Sequence, residues 1–137
     1  MTAGGAVWLR AWAGDAPALA ADEAARRMAN GAVTLLDVRS AAEWRATGIP
    51  AGAKPATIHD PAGIDGFVAA AAKAVGGDRN APVAVICRTG RRSTAAADAL
   101  LRAGFTKVYN VREGMGGNPI DGPGWLARGL KTEQPDS

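Results

Sequence analysis

Apolar residues fall along this chain in short runs, separated by glycine- and proline-rich breaks, and the runs are of two kinds. The first kind is continuous. Val83-Ala84-Val85-Ile86 leads straight into Cys87, and Val33-Thr34-Leu35-Leu36-Asp37-Val38-Arg39 ends in a charged pair. Lys107 to Val111 and the short Ala56-Thr57-Ile58-His59 complete the set. Runs of this length, rich in β-branched residues and apolar on both faces, predict strands of a parallel sheet, with 83–86 at its centre. The second kind has helical period. Asp22 to Asn30 carries acids first, arginines later and Gly31 beyond its end, the charge order and stop signal of a helix. Ser40-Ala41-Ala42-Glu43 has capping-box spacing and opens a short helix carrying Trp44. In Ile64 to Val75, Ile64, Phe67, Val68, Ala71 and Val75 recur near helical period before Gly76-Gly77. Ser93 to Ala103 repeats the pattern with Ala97, Leu100 and Leu101, and Gly104 stands at the stop position.

The breaks predict the rest. Gly48 to Pro55 is a turn-rich connection, and Gly114 to Gly124, with five glycines and two prolines, is a long irregular loop. Trp125, Leu126 and Leu130 are expected to anchor a final helical turn, and residues 131–137 to form a polar, frayed tail. Residues 1–17 form a glycine- and alanine-rich arm in which Trp8 and Trp12 would share one face of a helix. The arm is expected to fold back over the edge of a domain spanning 18–130. Strands alternating with helices make this an α/β domain with a mainly parallel sheet.

Composition narrows the picture. At 137 residues the chain is one domain with a core that needs no staples. It lacks the roughly 20-residue apolar stretch of a membrane span, and Arg10 interrupts the apolar run near the start, so a cytoplasmic protein without a signal segment is expected. The single cysteine excludes an internal disulfide and agrees with a reducing compartment. A net charge of +3 raises the question of nucleic acid, but the basic residues are dispersed except at 88–92 and are not interleaved with aromatics. Neither nucleic acid nor membrane is expected as a partner. One cysteine and one histidine, His59, do not make a closed metal site, so no metal or cofactor is expected. His59 precedes Asp60-Pro61 and is expected in a surface turn.

The candidate chemistry lies at Cys87-Arg88-Thr89-Gly90-Arg91-Arg92-Ser93. The cysteine stands at the C-terminal end of the central strand, where open α/β sheets bind ligands. Unpaired amides at the start of the following helix form an anion site, to which Arg88, Arg91 and Arg92 add full charges. That field favours the thiolate. Gly90 lets the backbone turn close to the sulfur. Arg88, next to the sulfur, is expected to reach a substrate oxyanion. Arg92 is expected to pair in part with a carboxylate, and Arg91 stands between function and solvent. Asp37 and Arg39 are expected to brace the loop from the neighbouring strand end rather than to act as acid and base.

Taken together, the chain resembles a single-domain rhodanese of the thiosulfate sulfurtransferase family. Leu36-Asp37-Val38-Arg39 with Glu43-Trp44 is similar to the family's early D-V-R…E-[YW] segment, and Cys87 to Ser93 to its C-x-x-G-x-R-S loop. Tyr109-Asn110-Val111…Glu113-Gly114 followed by Trp125…Gly129-Leu130 is similar to its closing strand, glycine turn and W-x-x-x-G-L. The resemblance implies a three-layer α/β domain, helices on both faces of a mainly parallel sheet of about five strands. It also implies transfer of sulfane sulfur from thiosulfate, a persulfide or a polysulfide to cyanide or a thiol, through a Cys87 persulfide. In that reading Arg88, Thr89, Gly90, Arg91, Arg92 and Ser93 bind the anion, and Asp37 and Arg39 support them. A protein acceptor and the oligomeric state stay open. Two features depart from the family: Thr47 to Ala53 lacks a turn histidine, and the 116–124 segment is longer and could line the mouth of the site. Two alternatives remain. One is a non-catalytic anion- or protein-binding module. The other is a cysteine phosphatase, although such loops place their arginine one position further from the cysteine than Arg92 stands from Cys87.

Overall fold

The computed structural model describes residues 15–135. In chain order the elements are α1 (Ala21–Ala29), β1 (Thr34–Asp37), α2 (Ala41–Thr47), β2 (Ile49–Pro50), β3 (Lys54–Pro55), α3 (Gly63–Ala74), β4 (Val83–Ile86), α4 (Arg91–Arg102), β5 (Val108–Val111) and β6 (Thr132–Glu133). Four strands form one sheet in the order β3-β1-β4-β5, every neighbouring pair parallel. Strand β4 lies inside, and all of its residues are buried. Because side chains alternate across a strand, its residues supply two cores at once. Val83 and Val85 join Leu36, Phe67, Ala97 and Leu100 under α3 and α4. Ala84 and Ile86 join Leu35, Ala24, Met115 and Trp125 beneath α1. A strand walled by helices on both sides reads as an unbroken apolar run for this reason. In α3, Phe67 and Ala71 are buried while Ile64 stays half exposed.

Several boundaries differ from expectation, each for a local reason. The strand expected at 56–59 is β3 at Lys54–Pro55, although Ala56 N–H to Asp37 O and Ile58 N–H to Val38 O, both 3.0 Å, carry the pairing onward. Helix α4 starts at Arg91, ahead of the expected Ser93, because Gly90 takes the cap position with φ +102°. The segment after Trp125 is a series of hydrogen-bonded turns, not a helix: Arg128 N–H reaches Gly124 O at 3.1 Å and Gly129 N–H reaches Leu126 O at 3.0 Å. The tail is not frayed at its start. Thr132–Glu133 pairs antiparallel with β2, and Lys131 O accepts hydrogen bonds from the Trp125 indole and Ala51 N–H, both at 2.9 Å.

At the other end of the chain, Ala18 bridges Asn110 in parallel. Pro17 O accepts from Asn110 N–H at 2.9 Å, and Leu19 N–H donates to Asn110 O at 3.0 Å. This single bridge covers the β5 edge, which would otherwise present unpaired amides. The sheet thus has four strands, against about five expected, with this bridge added at its edge, and Ala16 belongs to the core. Trp8 and Trp12 lie outside the described residues. No helix among the described residues is long and apolar enough to cross a membrane.

Candidate active site

Cys87 follows β4 directly and is 1% exposed. The chain then wraps round its sulfur. Gly90 N–H donates to Sγ at 3.1 Å, the thiol faces Ser93 Oγ at 3.5 Å, and Ser93 Oγ donates to Gly90 O at 3.1 Å. Gly90 is required twice over: its φ is +102°, and a Cβ there would lie 2.5 Å from Arg112 O.

The turn after β5 holds this loop from behind. Met115 N–H donates to Cys87 O and Gly116 N–H to Arg88 O, both at 2.8 Å. The approach is so close that a Cβ on Gly114, whose φ is +64°, would strike Arg88 O. In a trans peptide the carbonyl and the next N–H point opposite ways. With the carbonyls of Cys87 and Arg88 tied to the rear, the N–H groups of Arg88 and Thr89 face forward, on the side of the sulfur. Neither these amides nor those of Arg91 and Arg92 have an acceptor among the described residues. Successive forward-facing amides at a helix start make a concavity suited to an anion.

The arginines divide into two classes. Arg88 and Arg91 are exposed and make no ion pair among the described residues. Arg92 instead forms a two-pronged pair with Glu43, Nη1 to Oε1 at 2.6 Å and Nη2 to Oε2 at 2.8 Å. Of the three arginines expected to bind the anion it is the one committed elsewhere. The Glu43 pair keeps Arg92 charged, and Cys87 and Asp37 favour that charge as well. In turn the Arg92 hydrogen bonds, helped by those from Ser40, lower the Glu43 carboxyl from 4.5 to about 2 against the opposing effect of burial.

Asp37 and Arg39 lie at the end of β1, where Asp37 is level with Ile86 of β4. Both are buried and bound to each other, Nη2 to Oδ2 at 2.7 Å and Nε to Oδ1 at 3.0 Å. Trp44 Nε1 donates to Asp37 Oδ1 at 3.2 Å, and Arg39 donates to Thr47 Oγ1 at 3.0 Å and Gly48 O at 2.9 Å. With its lone pairs occupied in this way Asp37 braces the strand end. His59 is exposed in a turn. The closing Glu113 is structural too: it accepts from Ala21 N–H at the start of α1 and from Arg128, both at 2.8 Å.

The chain belongs to the rhodanese-like domain family. The family model matches residues 20–117. Among solved structures, the chain is similar to Rv0390 from M. tuberculosis, with 32% identity, a TM-score of 0.69, and 87% of this chain and 98% of that one covered. It is similar to the polysulfide-sulfur transferase homodimer from Wolinella succinogenes, with 28% identity, a TM-score of 0.65, and coverage of 96% and 88%. A thiosulfate sulfurtransferase from Pseudomonas aeruginosa aligns at 25% identity and a TM-score of 0.64, over 89% of this chain but 21% of that longer protein. A search of curated proteins gave no match. Family membership and these neighbours support sulfur transfer in general terms, and the rhodanese-like fold puts Cys87 and its cradle at the end of the central strand.

Two rhodanese-site contributors were missed in the sequence. Glu43 read as a capping residue and as part of the D-V-R…E-[YW] resemblance, but not as the partner of Arg92, 49 positions away. Asn118 read as part of a glycine-rich segment at the mouth of the site, with no role of its own, yet its carboxamide donates to Thr89 O at 3.1 Å. The Asn-Pro-Ile-Asp-Gly composition announces a turn but not what the turn touches. That turn, Asn118 to Asp121, and Thr89 to Arg91 enclose a hollow of about 490 Å³ beside the active loop.

Proposed function

We propose that this rhodanese-like domain is a sulfurtransferase that carries sulfane sulfur on Cys87. The observation that supports this most is the forward-facing amide cradle around the sulfur, with Arg88 and Arg91 left unpaired beside it. In the first half-reaction the Cys87 thiolate attacks the outer sulfur of thiosulfate. A new S–S bond forms, the old one breaks, and sulfite leaves with its electron pair. The cradle meets first the donor dianion and then the persulfide anion, preorganised for negative charge. In the second half-reaction cyanide or a thiolate attacks the outer sulfur, and the electron pair of the breaking bond returns to Cys87 as thiolate. The attacking sulfur is its own nucleophile, so no general base is needed.

The neighbours' names supply the two donor classes of this proposal, thiosulfate and polysulfide. Arg88, Thr89, Gly90, Arg91 and Ser93 are assigned to the anion site, while Arg92 is assigned to holding it through Glu43. That commitment also counts against a phosphatase, whose loop arginine must be free to grip a phosphoryl group. The lone thiol suits a reducing compartment, and the reading places the domain in the cytoplasm.

The test is the intact mass of the protein before thiosulfate or polysulfide, after it, and again after cyanide. The expected outcome is a gain of one sulfur atom that cyanide removes and that Cys87→Ser never acquires. Wild-type protein that gains no sulfur from either donor would overturn the proposal. Thiosulfate binding without sulfur gain, retained in Cys87→Ser, would mark a binding module instead.

A further inference from the structure

Three consecutive peptide groups wrap the Cys87 sulfur, and their carbonyls belong to Cys87, Arg88 and Thr89. The first two carbonyls are held by backbone amides, Met115 N–H and Gly116 N–H. The third is held by a side chain, Asn118 Nδ2, at 3.1 Å from Thr89 O. The N–H of that third peptide is Gly90's, the group that donates to Cys87 Sγ at 3.1 Å. Asn118 and the sulfur therefore grip opposite ends of one rigid peptide plane.

Asn118 is itself fixed. Nδ2 donates also to Arg112 O at 3.1 Å, and Oδ1 accepts from Ile120 N–H at 2.9 Å and Asp121 N–H at 2.8 Å. Two carbonyls on one end and two amides on the other permit a single orientation of the carboxamide, since a flipped one would set oxygen against oxygen. The residue is an immobile clamp, built on the segment whose length departs from the rhodanese pattern.

We propose that Asn118 is a positioning residue for the nucleophile: by holding the Thr89 carbonyl it aims and polarises the Gly90 N–H at the Cys87 sulfur. Hydrogen bonds in series strengthen one another, and the last donor gains most when its acceptor is an anion. Asn118 thus favours the sulfur as thiolate, and afterwards as persulfide, without touching either. The inference rests on Cys87 being the nucleophile of the proposed transfer.

The test is the rate of Cys87 alkylation by iodoacetamide between about pH 5 and 10, measured on the full chain with Asn118→Asp and Asn118→Ser. Both variants keep an oxygen for the Ile120 amide and both lose the contact to Thr89 O, Asp because it has no N–H and Ser because its hydroxyl stops one bond short. Asp adds a charge and Ser does not. Both are expected to alkylate about fivefold more slowly at neutral pH, the effect of one hydrogen bond. Their profiles should move to higher pH with the alkaline plateau unchanged. A Ser profile that superimposes on wild type would overturn the proposal, even if the Asp profile moves, because charge alone would then be acting. A uniform fall at every pH would overturn it too, since that reports lost access. Protein treated with cyanide beforehand carries a sulfur-free Cys87, and its alkylation needs no sulfur donor. Wild type that shows this Asn118 dependence yet never gains sulfur would sink the transfer reading and sustain this one.

Discussion

Strands β1 and β4 lie side by side, and the loops that leave their C-terminal ends are built on opposite terms. Past β1, polar groups are paired off: Asp37 with Arg39 and Trp44, Arg39 with Thr47 and Gly48, Ser40 with Glu43. Past β4, the carbonyls of Cys87, Arg88 and Thr89 are paired. They are tied to the rear by Met115, Gly116 and Asn118, while the amides of Arg88 and Thr89 and the side chains of Arg88 and Arg91 are left open. Consecutive amides turned outward at a helix start offer an anion several donors at once. One strand end is a brace and its neighbour the proposed receptor, and the Glu43–Arg92 pair joins the two.

The brace should fail hardest. Arg39→Leu leaves the Asp37 carboxylate buried without its cation, and such breaks cost about 3–5 kcal/mol. Urea unfolding should register that loss. A change below about 1 kcal/mol would mean that water reaches Asp37 and that the end of β1 is not closed.

The joint comes next. Glu43→Gln removes charge-assisted hydrogen bonds and should cost about 1.5–3 kcal/mol. It carries a pH signature as well. The Glu43 carboxyl is depressed in the folded state, to about 2 from 4.5. On acidification the unfolded chain therefore takes up that proton first. The stabilisation is complete above about pH 4.5 and lost as pH falls toward 2. Wild type should lose its advantage over Glu43→Gln across this window when melting temperatures are compared at about pH 5.5 and 2.5. A constant difference would show that the pair contributes nothing that titrates.

The receptor was legible in the sequence because its signals are local. An unbroken apolar run into the chain's single cysteine, then glycine and arginines, places a thiol at the end of a buried strand. Ser40 and Glu43 were legible as a capping box for the same reason, and both of its hydrogen bonds are present. What was not legible is what the chain does with side chains across distance. Nothing in the linear pattern ties Asn118 to Thr89 or names Glu43 as the carboxylate that Arg92 meets. Arg92 was placed at the anion site by its motif, with a carboxylate partner expected in part, and Glu43 is that partner. With Gly90 capping the helix, the arginines occupy its first turn, where one faces Glu43 and the other solvent. The β6 strand escaped because a two-residue polar segment has no periodicity to read. Its order comes from Trp125 and Ala51 holding Lys131 O.

The smallest stability effect should accompany a clear functional one. Arg88 is exposed and unpaired among the described residues, so Arg88→Ala should change unfolding free energy by no more than about 0.5 kcal/mol. If it is the open receptor's first cation, the variant should need about tenfold more thiosulfate to load Cys87, the worth of one charged hydrogen bond to the donor. Arg92→Ala should behave the other way, losing stability through Glu43 before it loses affinity. The pair of variants therefore separates an arginine that binds from one that builds. Arg88→Ala loading sulfur as readily as wild type, with Arg92→Ala weakened in loading but not in unfolding, would reverse the two roles. The receptor would then centre on the first turn of α4, with Glu43 as the carboxylate that an arriving anion must displace.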